Sequence, residues 1–144
     1  MRTTFISALA VSTALLLAGC GSSDDSAAAP SGQNADVCTQ FAASYNSLAA
    51  LAKGPTDADV DKWTAAKEAE IANFKTQSGT ATGDVKGTLT TLVGALPADT
   101  LALSEPDSES GQAYVDNANA VASSCAADGT TITLDEFALP KFTG

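Results

Sequence analysis

The chain has 144 residues, 17 acidic against 7 basic, with no histidine and Arg2 as its only arginine. Without imidazole, Ser-His-Asp and Cys-His catalysis in their usual forms are excluded, as are imidazole-containing zinc or copper sites. A net charge of −10 repels nucleic acid, and beyond Arg2 no guanidinium fork exists to grip phosphate or carboxylate. These absences argue against an enzyme and against a cofactor.

In chain order, Met1 to Thr4 form a short positive region with Arg2, and Phe5 to Leu17 an apolar stretch. As a helix that stretch spans roughly 20 Å, short of the ~30 Å hydrocarbon core, so a permanent membrane span is not expected. It closes on Leu17-Ala18-Gly19-Cys20, small residues followed by a cysteine. This segment resembles the bacterial lipoprotein signal with its lipobox, over residues 1–20. The resemblance implies removal of residues 1–19 by cleavage between Gly19 and Cys20, with diacylglycerol on the Cys20 thiol and acylation of the new amine. Two or three acyl chains on one residue give stable anchoring, whereas one chain is marginal. The implied location is a cell membrane, on its extracytoplasmic face. Gly21 stands where Asp would favour inner-membrane retention in double-membrane bacteria.

Residues 20–35 are rich in Gly, Ser, Asp, Ala and Pro and hold no large apolar side chain, the composition of a flexible tether. Residues 36–144 remain for a small helical domain with one modest core. Four segments carry helical periodicity. The first places Val37, Phe41, Tyr45, Leu48 and Leu51 on one face and stops at Gly54-Pro55. For the second, Thr56 caps and Asp59 completes a capping box, with Val60, Trp63, Lys67, Ile71 and Phe74 down one face and Gly79 at the close. Lys67 interrupts that stripe; its stem is expected along the core with the amine in water.

The third segment runs from Asp84 to Leu96, with Val85, Leu89, Leu92, Val93 and Leu96 stopped by Pro97. Ala98 to Pro106 reads as a connector whose Leu101 and Leu103 pack down on the bundle. The fourth helix spans Asp107 to Ala127, with Tyr114, Ala118, Val121 and Cys125 in register. Beyond it, Thr130 to Gly144 reads as an extended tail packing Ile132, Leu134 and Phe137, with a short edge strand as the alternative and one helical turn allowed over Asp135–Pro140. The expected fold is all-α: a four-helix up-down bundle closed by one disulfide, with an extended C-terminal tail.

That disulfide follows from topology. Cys38 opens the first helix and Cys125 closes the last, and in an up-down bundle of four these ends coincide. Export to an oxidising compartment favours the bridge, and no Cys-x-x-Cys pair points to redox chemistry.

Several groupings mimic functional sites. Asp57, Asp59, Asp61 and Glu68 have the spacing of calcium ligands, but Lys62 stands where such a loop requires glycine and Thr64 where it prefers an aliphatic residue. The same acids suit the first turn of a helix, so no metal site is assigned. Trp63, Phe41, Tyr45 and Phe74 are candidate pocket walls, though aromatics at helical spacing ordinarily form core. Glu68 and Glu70 with Lys67 look like a catalytic set and are read as a solvated helix face. The run Glu105-Pro106-Asp107-Ser108-Glu109 is a soluble loop or a docking patch for a cationic envelope partner.

Residues 36–127 resemble the small alanine-rich helical lipoproteins of high-GC actinobacteria, on Cys38, Cys125 and composition. That resemblance implies a helical domain and lends no catalytic residues. The expected role is a non-enzymatic, membrane-anchored binding or envelope-interaction module without nucleic-acid partners. The alternative is a carrier for an apolar or cationic small ligand inside the bundle.

Overall fold

Apolar side chains at helical spacing build four helices among the residues described by the computed structural model, 32–55 and 59–141. Cleavage and lipidation at Gly19 and Cys20, most of the expected tether, and Thr56 and Asp57 lie outside the described residues. Helix α1 (Ala35–Leu51) buries Cys38, Phe41, Tyr45 and Leu48 at steps of three and four. Helix α2 (Val60–Thr80) turns Lys67, Phe74 and Gln77 inward, α3 (Gly83–Ala95) Val85, Leu89 and Leu92, and α4 (Glu109–Ala127) Tyr114, Ala118, Val121 and Cys125. Successive helices pack on each other and α4 returns to α1, which closes the up-down bundle.

The helix boundaries follow their caps. Helix α1 gives way to Gly54 at φ +100, a left-handed position that suits glycine. Asp59 caps α2, its Oδ1 accepting from Lys62 N at 3.1 Å, and so takes the role expected of Thr56. Helix α4 starts at Glu109 rather than Asp107. Ser108 N donates to Glu105 O at 3.3 Å, making a turn with Pro106 second and Asp107, at φ 53, third. The Ser108 hydroxyl then accepts from Gly111 N at 2.8 Å.

The core is a pile of aromatic rings. Phe41 lies 5.6 Å from Phe74, Tyr45 stacks on Tyr114 at 5.4 Å, and Tyr114 meets Phe137 edge-on at 5.1 Å. Leu48, Leu89, Leu92, Leu103 and Val121 fill in around them. Val60 departs from the expected inward stripe: it opens α2 beyond the packed layer and is 56% exposed. The connector folds into a 3₁₀ turn, Thr100–Ser104, that buries Leu103 and leaves Leu101 48% exposed, so only one of the two leucines packs down. Gly111 lets this turn approach α4, since a Cβ there would collide with the Leu103 carbonyl.

The tail runs extended, and among the described residues it joins no strand and makes no helical turn over Asp135–Pro140. Asn46 of α1 stands in for a strand neighbour. Its Nδ2 donates to Thr133 O at 3.2 Å, and its Oδ1 accepts from Asp135 N at 2.8 Å. Phe137 is buried by this path, and Ile132, Leu134 and Leu139 pack on the core beside it.

One end of the bundle is stitched twice. Cys38 and Cys125 are joined by a disulfide with an S–S distance of 2.03 Å. Beside it Asn34, composed like tether, is 4% exposed and docked. Its backbone N donates to Asp128 Oδ2 at 2.9 Å, and its Oδ1 accepts from Thr82 N at 2.8 Å. It thereby links the start of α1 to the end of α4 and the entry of α3. The folded body consequently begins before residue 36. Gly32 belongs to it too, because a Cβ there would overlap Asp128.

Candidate functional site

The end of the bundle opposite the disulfide holds the one charged side chain buried among the described residues. Lys67 sits at an inward position of α2, four residues after Trp63 and four before Ile71. Its ammonium was expected in water; instead the residue is 2% exposed. Nζ donates to Thr100 O of the 3₁₀ turn at 3.1 Å and lies 4.5 Å from the Trp63 ring centroid. Trp63 is itself fixed, its indole Nε1 donating to Leu51 O at 2.8 Å. The connector therefore folds over the lysine and removes its water. Burial pushes the Lys67 ammonium below its ordinary pKa, and the negative charge of Asp99 opposes that shift.

These groups form one wall of a cleft of about 580 Å³ between α2 and the α3-to-3₁₀ connection. Ile71, Val93, Leu96, Pro97 and Leu101 give it apolar surface; Lys75, Glu68 and Asp99 contribute charge. On its other side Trp63 walls a second cleft of about 350 Å³, with Ala50, Leu51, Gly54 and Pro55. Trp63 is thus a ridge shared by two grooves.

The remaining candidates distribute elsewhere. Of the four aromatic pocket candidates, Trp63 alone lines these clefts, while Phe41, Tyr45 and Phe74 are buried in the ring pile. Of the calcium-like spacing, Asp57 lies outside the described residues; Asp59 is the cap of α2 and ion-paired to Lys62 at 2.9 Å, and Asp61 and Glu68 are exposed along the helix. A helix fans such carboxylates around its axis, whereas a calcium loop converges them. Glu70 accepts from Asn73 at 3.0 Å and does not join Lys67. In the acidic run, Glu105 and Asp107 shape the turn before α4, and Glu109 occupies its first turn.

The sequence reading missed the burial of Lys67 and the roles of Asn34, Gln77 and Leu139. Gln77 is 4% exposed and donates to Ser44 Oγ at 3.2 Å across the α1–α2 contact. The one legible signal was the four-residue spacing of Trp63 and Lys67, which puts ring and amine on one face. No family model matches the chain, and no curated protein or solved structure matches it significantly.

Proposed function

We propose that this chain is a lipid-anchored extracytoplasmic lipoprotein whose folded body is a non-enzymatic binding module. The observation that carries this reading is the Leu17-Ala18-Gly19-Cys20 sequence at the close of an apolar stretch. It accounts for Cys20, the one of 3 cysteines left over from the Cys38–Cys125 bridge. A disulfide is the bond of an oxidising compartment, which supports export. Among the described residues, no helix is long and apolar enough to cross a membrane.

Orientation follows from the same reading. The first described residue, Gly32, lies at the disulfide end beside Asp128, so in this reading that end faces the anchor. The Trp63 clefts and the Glu105–Glu109 run then occupy the far end, available to an envelope partner. The acidic run suits a cationic one.

The reading is tested by producing the full chain in a lipoprotein-processing bacterium fed labelled palmitate. The parent incorporates label and fractionates with membranes; Cys20→Ala incorporates none and appears as an uncleaved precursor or as released protein. An unlabelled parent, or a variant of unchanged size and membrane retention, would overturn it.

A further inference from the structure

Lys67 presents an imbalance that the fold alone does not resolve. An ammonium carries three donors, and desolvating it is costly unless an anion compensates. Among the described residues its one hydrogen bond goes to a neutral carbonyl, Thr100 O. The ion pairs there are Lys62 with Asp59 and Lys141 with Asp107, so no carboxylate lies within ion-pair distance of Lys67, and Asp99 acts on it from farther away. The Trp63 face offers partial compensation at 4.5 Å. Thr100 and Trp63, which hold the ammonium between them, both line the 580 Å³ cleft, as does Lys67 itself. Lys67 is therefore part of the cleft wall.

The rest of the lining indicates what completes the pair. Ile71, Leu96 and Leu101 make the wall apolar, and Leu101 is a large hydrophobic residue left 48% exposed over it. The volume falls within the ~300–1,000 Å³ of small-ligand sites. A cationic ligand is disfavoured, because the chain's own lysine already occupies the Trp63 face. A dianion is disfavoured as well, because Glu68 and Asp99 border the cleft.

We propose that this cleft binds a small amphiphilic monocarboxylate, its carboxylate on Lys67 and its apolar body along the wall of Ile71, Leu96 and Leu101. This deepens the binding-module reading by naming a ligand class. Its failure is separable from that reading's failure, since palmitate labelling at Cys20 reports on anchoring alone.

Trp63 is the only tryptophan, so its fluorescence reports on the cleft directly. The full chain, purified in mild detergent, is titrated with hexanoate, hexylammonium, hexanol and hexyl phosphate. Hexanoate shifts the emission saturably, while hexylammonium and hexanol do not. Lys67→Met weakens hexanoate at least tenfold, and Lys86→Gln, at an exposed position of α3 outside the cleft, changes it less than threefold. Ala72→Phe, at an exposed position of the lining, blocks the cleft without touching Lys67, and serves if Lys67→Met loses its helical circular dichroism. Any of four results overturns the proposal: no saturable shift to ~50 mM hexanoate, equal response to hexylammonium, full binding by a folded Lys67→Met or Ala72→Phe, or hexyl phosphate binding tenfold tighter.

Discussion

The Tyr114 hydroxyl is buried at the centre of the ring pile with no hydrogen-bond partner among the described residues, in a residue 2% exposed. Burial raises its pKa well above the ordinary 10.0, with smaller contributions from Tyr45 and Glu70. Tyr45 is raised too, by burial first and Asp135 second. The folded state thus keeps protons that the unfolded chain releases above about pH 10, so this stabilisation is whole below that pH and lost as pH rises further. Lys67, depressed by burial, works in the opposite direction over the alkaline range and is held constant by comparing Tyr114→Phe with its parent. Tyr114→Phe keeps the ring contacts and removes an unsatisfied group. It is expected to be neutral or up to about 1 kcal/mol more stable at pH 7 and to lose stability less steeply above pH 10. Urea unfolding at both pH values measures this. A loss of about 2 kcal/mol at pH 7 would mean that the hydroxyl is bonded after all.

At the scale of the element, the helices were legible because each is specified by its own residues: Phe41, Tyr45 and Leu48, or Tyr114, Ala118 and Val121, repeat on one face whatever lies opposite. What was illegible depends on partners distant in the chain. A lysine in an apolar stripe looks the same whether its amine reaches water or, as here, the Thr100 carbonyl 33 residues away. Asn34 looks like tether until Asp128 and Thr82 are brought to it. The entry to α4 was misplaced because Asp107 is acidic enough for a first turn, and only its φ of 53 reveals the preceding turn. That conformation predicts a ranking. Asp107→Gly and Asp107→Val both remove the carboxylate that faces Lys141 at 3.9 Å, so comparing the two cancels that loss. Glycine accepts the left-handed region freely and a β-branched side chain does not, so Val should fall about 1–2 kcal/mol below Gly in thermal or urea unfolding. A Val variant matching Gly would show that the turn is not held in this form.

For the whole molecule, the disulfide and the Asn34 node sit at one end and fasten the same pieces, the start of α1 and the end of α4. The bridge closes a loop with a sequence separation of 87, for which the chain-entropy relation gives about 4–5 kcal/mol. That is a large share of the ~5–15 kcal/mol available to a small domain. Reduction should therefore lower the unfolding free energy measured by urea titration by close to that amount, and by less to the extent that the reduced unfolded chain stays compact. Asn34 decides how the reduced form behaves. While Cys38 and Cys125 are bonded, α1 and α4 remain together at this end even if Asn34 is lost. Once the bridge is reduced, Asp128 Oδ2 still accepts from Asn34 N at 2.9 Å and from Asn34 Nδ2 at 3.2 Å; Ala keeps the backbone bond and removes the side-chain one, together with the Oδ1 contact to Thr82 N. Asn34→Ala is accordingly expected to cost about 1 kcal/mol in the oxidised protein and more in the reduced one, a coupling that a double-mutant cycle with Cys38→Ala/Cys125→Ala measures. Equal costs in both backgrounds would mean that the two fastenings act independently and that the end is held by packing around Phe41 and Val121 instead.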